Sequence, residues 1–124
     1  LELALNNGYD HKTKQQLGPQ TGTADSFTTY EALFTAFKLQ LNHFIEIKIQ
    51  GNLLIESLYA QYLPAPFMSL LIDDCIQKGK DYNNGGARYN SSYIQGVGTG
   101  TLTDSLSAIK YHVFECKKSI TQRH

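Results

Sequence analysis

Residues 85–100 read GGARYNSSYIQGVGTG, five glycines set around Arg88, Tyr89, Asn90 and Tyr93. Such a run is either a loop that cradles a phosphate or backbone that must pass through a crowded place. The choice separates a nucleotide-binding unit from a scaffold element. Spacing argues against the nucleotide: Gly96-x-Gly98-x-Gly100 brings the third glycine one residue too early for G-x-G-x-x-G, and no Lys-Ser or Lys-Thr follows. The run leads into a helical pattern, where a helix N-terminus can hold an anion. Close backbone approach and positive φ in a strand-to-helix turn are the simpler account.

Working outward, Tyr93–Gly98 is expected to be a short extended stretch, followed by a helix with Thr103 or Asp104 as N-cap. Leu102, Leu106, Ile109 and Val113 form its apolar stripe, and Lys117 and Lys118 place positive charge at its C-terminal end. Upstream, Pro66 opens a helix whose Phe67, Leu70, Leu71 and Cys75 share one side and whose C-cap is Gly79. Before it, Leu33, Phe34, Phe37, Leu41, Phe44 and Ile45 recur at steps of three and four. The pattern continues to Tyr62 and the Pro64-Ala65-Pro66 stop, a helix of more than about 30 residues that Gly51-Asn52 kinks or divides. Thr28 and Glu31 fit a capping box, with Phe27 as the staple residue. Residues 9–26 are polar, carry Gly18-Pro19 and Gly22, and read as a long surface loop. The opening LELALNNG reads as the last turns of a helix stopped at Asn7-Gly8, as in a piece of a larger polypeptide.

The 124 residues carry no net charge, so nothing in the balance draws the chain to nucleic acid or to an anionic membrane. No apolar run approaches the ~20 residues that span a bilayer. Cys75 and Cys116 lack a metal-type partner cysteine and are expected to be reduced thiols, as in a cytoplasmic protein. His11, His43, His112 and His124 are scattered without metal-ligand spacing. Arg88 among neutral neighbours either meets an anionic substrate or is buried against a carboxylate, and the structural pair is favoured. Asp73 and Asp74, adjacent on a helix, point about 100° apart, so one is expected to be solvated and the other a structural partner. These residues alone name no reaction.

GGARYN followed by QGVG and the D-S-L-x-A-I-K helix, together with LELALNNG, GPQTG, FTTYEALFTAF and LLIDDCIQKGKDYNNGGARYN, resembles the pyruvate formate-lyase-like branch of the glycyl radical enzymes over nearly the whole chain. The resemblance implies a mostly helical piece of a ten-stranded α/β barrel, with residues 1–124 lying between a catalytic cysteine loop and a radical glycine loop. Cys75 is followed by Ile-Gln and Cys116 by Lys-Lys, so neither matches the family's Cys-x-Glu, and Asn7-Gly8-Tyr9 lacks the Arg-Val-x-Gly-Tyr context of the radical site. No catalytic residue is therefore expected here. Gly86, Arg88, Tyr89, Asn90, Gln95, Gly96 and Gly98 are expected to be a structural motif of the barrel wall, with Arg88 and Asn90 buried. The resemblance further implies a whole protein carrying a glycyl radical, installed by a separate S-adenosylmethionine iron–sulfur activase, and assembled as a homodimer. IDDCIQKGKDYNNGGARYN and YIQGVGTGTLTDSLSAIKY are most similar to the branch that removes water from a hydroxylated proline. Glycerol or propanediol dehydration, or choline trimethylamine-lyase-like C–N and C–S cleavage, is the alternative. A small independent helical binding protein is the alternative of another class.

Overall fold

A computed structural model describes residues 1–116, so Lys117, Lys118 and His124 lie outside the described residues. The chain forms two compact units, one of Leu1–Ile45 with the chain from Gln95 onward, the other of Glu46–Ile94.

In the first unit, α1 (Glu2–Leu5) is a single turn. It ends as its sequence predicts: Asn7 (φ 54°) and Gly8 (φ 78°) turn left-handed, and the Gly8 amide donates to the Leu3 carbonyl at 2.7 Å. Its Ala4 is wholly buried and joins Phe37 and Leu106 in the core, with Leu1, Phe34 and Leu102 packed around them.

The expected surface loop at 9–26 is more ordered than its polarity suggests. Strands β1 (Tyr9–Asp10) and β2 (Gln15–Gln16) pair antiparallel, Tyr9 opposite Gln16. The Asp10 carboxylate closes their turn by accepting from the Lys12 and Thr13 amides at 3.1 and 3.2 Å. Asn7 Oδ1 accepts from the Gly22 amide, and Gln16 Nε2 donates to the Asn7 and Gly18 carbonyls. Gln40, 4% exposed, reaches from the long helix to donate to the Pro19 carbonyl at 2.6 Å. The Leu17 and Gly18 amides both donate to the Gly8 carbonyl at 3.0 Å, so Gly8 and Gly18 are buried with their backbone groups paired.

Helix α2 runs unbroken from Tyr30 to Tyr62, and Gly51 neither kinks nor divides it. Its cap lies one residue later than expected: Thr29 Oγ1 accepts from the Ala32 amide at 3.2 Å, so Thr28 and Glu31 form no capping box. Leu33, Ala36, Phe37 and Gln40 form its buried stripe.

Helix α5 (Thr99–Ile109) begins four residues before the expected Thr103. Gly98 (φ 79°) makes the break, and the Thr103 hydroxyl, lying within the helix, donates back to the Thr99 carbonyl at 2.9 Å. From Lys110 to Glu115 the helix widens to π geometry. That adds a residue to the turn, so Phe114 rather than the expected Val113 carries on the stripe, set edge-on to Tyr30 at 6.2 Å between centroids.

In the second unit the expected helix from Pro66 to Lys78 is two helices, α3 (Pro66–Leu70) and α4 (Asp73–Lys78). Ile72 between them is extended (φ −121°, ψ 111°), and Asp73 and Asp74 then occupy the first turn of α4, where the helix dipole favours them. Cys75 is buried, whereas Phe67, Leu70 and Leu71 are exposed, which corrects the expected common buried side. Gly79 caps α4 in the left-handed region (φ 60°), as expected. Residues 91–96 form no strand, so among the described residues β1 and β2 are the sheet.

Candidate functional site

Within the second unit, the segment after α4 is built around two side chains, Cys75 and Asp81. The Gly86 amide donates to the Asp81 carbonyl at 3.0 Å, which folds the chain back over α4. A Cβ at Gly86 would lie 2.2 Å from the Lys80 carbonyl oxygen, 2.8 Å from that of Asp81 and 2.7 Å from Cys75 Sγ. Glycine is therefore required there by space. Lys78 Nζ donates to the carbonyls of Gly86 and Ala87 at 3.1 and 3.3 Å, and Asn90 Nδ2 donates to Ala87 at 2.7 Å.

Asp81 ties this segment to α3. Its carboxylate accepts from the Ala65 amide at 2.9 Å, the Ser69 hydroxyl at 2.8 Å and the Asn83 amide at 2.9 Å. Ser69 Oγ in turn accepts from the Tyr82 amide at 2.8 Å. Desolvation pushes the Asp81 carboxyl up, but the bonds from Ser69, Ala65, Asn83 and Tyr82 together outweigh it and hold its pKa below the ordinary value. Asn83 Nδ2 adds a bond to the Leu63 carbonyl at 2.8 Å.

The 3-10 turn Tyr82–Asn84 so fixed forms one wall of a cleft of about 530 Å³. Ile55, Glu56 and Tyr59 of α2, Gly85 and the segment from Tyr89 to Tyr93 supply the rest, and Ser92 donates to the Glu56 carboxylate. Sequence reasoning missed Asp81 and this cleft. The signal for Asp81 is Asp-Tyr-Asn-Asn-Gly-Gly, an Asx-turn composition opening on a carboxylate. Nothing local signals Glu56, which meets Ser92 across 36 positions.

The expected motif is divided. Gly86, Arg88, Tyr89 and Asn90 belong to the second unit, and Gln95, Gly96 and Gly98 to the first. Within this chain the Arg88 side chain is 70% exposed, and it meets Asp74 with a two-point grip, Nε to Oδ2 and Nη2 to Oδ1 both at 3.1 Å. Asn90 and Tyr89 are exposed as well. Crowding explains Gly86 alone in this run. Gly85 (φ 74°) and Gly98 (φ 79°) stand in open space and serve by conformation, and the Gly96 carbonyl accepts from Thr99 Oγ1 at 2.7 Å.

His11, His43 and His112 sit edge-on to Tyr9, Phe44 and Tyr111. Among the described residues no three His, Cys, Asp or Glu side chains group as metal ligands, and no helix is long and apolar enough to cross a membrane.

A family model described as pyruvate formate lyase-like matches residues 1–124. The chain is 61% identical over 118 residues to trans-4-hydroxy-L-proline dehydratase of Clostridioides difficile, a match covering 95% of this chain and 15% of that protein. It is 31% identical over 118 residues to (2S)-3-sulfopropanediol dehydratase of Klebsiella oxytoca, covering 95% and 14%. The crystal structure of hydroxyproline dehydratase from Clostridioides difficile with trans-4-hydroxy-L-proline bound matches with a TM-score of 0.90 at 61% identity, over 94% of this chain and 15% of that one. The glycerol-bound B12-independent glycerol dehydratase of Clostridium butyricum matches with a TM-score of 0.85 at 37% identity, over 92% and 14%. The chain thus spans about 15% of the length of the curated relatives it matches.

Proposed function

Because this chain belongs to the pyruvate formate lyase-like family, we propose that it is one segment of a glycyl radical dehydratase whose whole polypeptide removes water from trans-4-hydroxy-L-proline. The observation that carries the substrate is the 61% identity to the hydroxyproline enzyme, against 37% to the glycerol enzyme and 31% to the sulfopropanediol enzyme. In this reading the segment lies between the cysteine loop and the radical glycine loop of a ten-stranded α/β barrel. A separate S-adenosylmethionine iron–sulfur activase installs the radical, and the whole protein is a cytoplasmic homodimer.

The residues present do not fit the radical-bearing roles. Cys75 is buried against Gly86 and followed by Ile-Gln, and Cys116 is followed by Lys-Lys. No chemical step is therefore routed through this chain. Its part is framework: the Gly86–Cys75 contact, the Asp81 bonds and the Arg88–Asp74 pair hold the turn-rich segment in one conformation. Exposed apolar residues along α2, among them Leu53, Leu54, Ile55 and Leu58, favour a segment covered by further chain over an independent small binding protein.

The test is turnover by the full-length protein after anaerobic activation. Loss of water from trans-4-hydroxy-L-proline, without turnover of glycerol or 1,2-propanediol, is expected. Turnover of a diol alone would overturn the substrate assignment. The 124 residues by themselves are expected to turn over none of these.

A further inference from the structure

Glu56 gives the tyrosine-lined cleft its one formal charge, and no lysine or arginine lines it. Its partner there is the neutral hydroxyl of Ser92, and among the described residues Glu56 takes part in neither ion pair. The nearby cations are engaged elsewhere, Arg88 on Asp74 and Lys78 on the carbonyls of Gly86 and Ala87. Tyr59, Tyr82, Tyr89 and Tyr93 line the same space. On the α3 side the wall is preorganised, because Asp81 and Leu63 fix Asn83 and Ser69 fixes the Tyr82 backbone.

A carboxylate among aromatic rings is the chemistry that recognises an organic cation: the charge pairs with the carboxylate and the cation lies over the ring faces. On the reading proposed above, most of the polypeptide lies outside this chain, which spans 15% of the length of the hydroxyproline enzyme it resembles. Covering the cleft would remove Glu56 from water, and a buried carboxylate without a cation is strongly unfavourable. We propose that the Glu56 cleft is a docking site for an arginine side chain from the remainder of the same full-length polypeptide. Arginine fits better than lysine because its planar guanidinium both stacks on tyrosine and pairs with a carboxylate through two donors. The inference rests on the reading of this chain as a segment of a longer dehydratase.

The experiment uses the full-length protein and two chemical maps read by peptide mass spectrometry. Under nitration with tetranitromethane, Tyr59 and Tyr82 should be protected in the native protein and modified when it is unfolded in urea. Under phenylglyoxal, one arginine outside these 124 residues should be protected in the wild type and lose that protection in Glu56→Gln, which keeps the side chain's shape. Tyr59 and Tyr82 nitrated as readily in the native as in the unfolded protein would overturn the proposal, and this needs no variant. Unchanged arginine modification in a folded Glu56→Gln protein would overturn it too. Turnover of hydroxyproline is measured separately, so an enzyme that prefers a diol yet protects this cleft defeats the substrate assignment and leaves the docking site standing.

Discussion

Gly86 lies against Cys75 so closely that a β-carbon on it would stand 2.7 Å from Sγ, inside any van der Waals contact. The sulfur is not the tightest neighbour, because the Lys80 carbonyl oxygen would be 2.2 Å away. Side chains can give way, but this carbonyl belongs to the turn that caps α4. Gly86→Ala should therefore destabilise by about 1–3 kcal/mol, the usual range for overpacking. Adding Cys75→Ala should restore only a minor part. Hydrogen exchange of peptides covering residues 73–92 in the full-length protein measures this. Full rescue by the double substitution would show that the sulfur, not the backbone, sets the limit.

Asp81 predicts a pH dependence with a definite sign. Its folded-state pKa is lowered, so its contribution is fully present above the unfolded carboxyl value of about 3.9 and is lost as pH falls through the lowered folded value. Asp81→Asn should lower the melting temperature at pH 7, and the gap from wild type should close as the pH is brought below 4. A gap independent of pH would mean that the hydrogen bonds matter without the charge.

Arg88 illustrates how exposure sets magnitude. A buried guanidinium stripped of its partner would cost about 3–5 kcal/mol, but an exposed pair is worth about 0–1 kcal/mol. With its side chain 70% exposed within this chain, the Arg88–Asp74 pair taken by itself belongs to the lower range, and the loss on Arg88→Ala should then shrink further in high salt; a loss in the upper range would show that further chain buries the pair. Thermal melts of the full-length protein at low and high ionic strength test both statements.

Thr29 and Thr28 are adjacent and chemically alike, yet only Thr29 holds the Ala32 amide. Thr29→Ala should cost about 1 kcal/mol through loss of the cap, and Thr28→Ala a few tenths. Equal effects would return the cap to Thr28.

Much of this was legible in the chain itself. The step-three and step-four recurrence from Leu33 to Ile45 announced α2, Asn7-Gly8 and Gly79 announced helix ends, and an acidic partner for Arg88 followed from its charge among neutral neighbours. What escaped notice depends on contacts made at a distance. The β1–β2 pairing is two residues long and leaves no period to read; it is closed by Asp10 and braced by Asn7, Gln16 and Gln40. The division between α3 and α4 depends on Ile72, whose identity carries no breaker signal. The early start of α5 depends on Gly98 adopting positive φ, where Thr103 and Asp104 were the more familiar capping types. The cleft joins Glu56 to Ser92, and no local pattern connects them.

The widened turn at Lys110–Glu115 bears on how this helix tolerates changes in length. In an ordinary α-helix, deleting one residue rotates everything beyond it by about 100° and carries the buried face to solvent. Here a residue is already in excess of the α-helical count. Deleting His112 should tighten the turn and leave the aromatic now numbered Phe114 against Tyr30, while the same deletion at Lys38 in α2 should misdirect every later contact. The wide turn thus gives this helix room to lose one residue without moving its aromatic anchor.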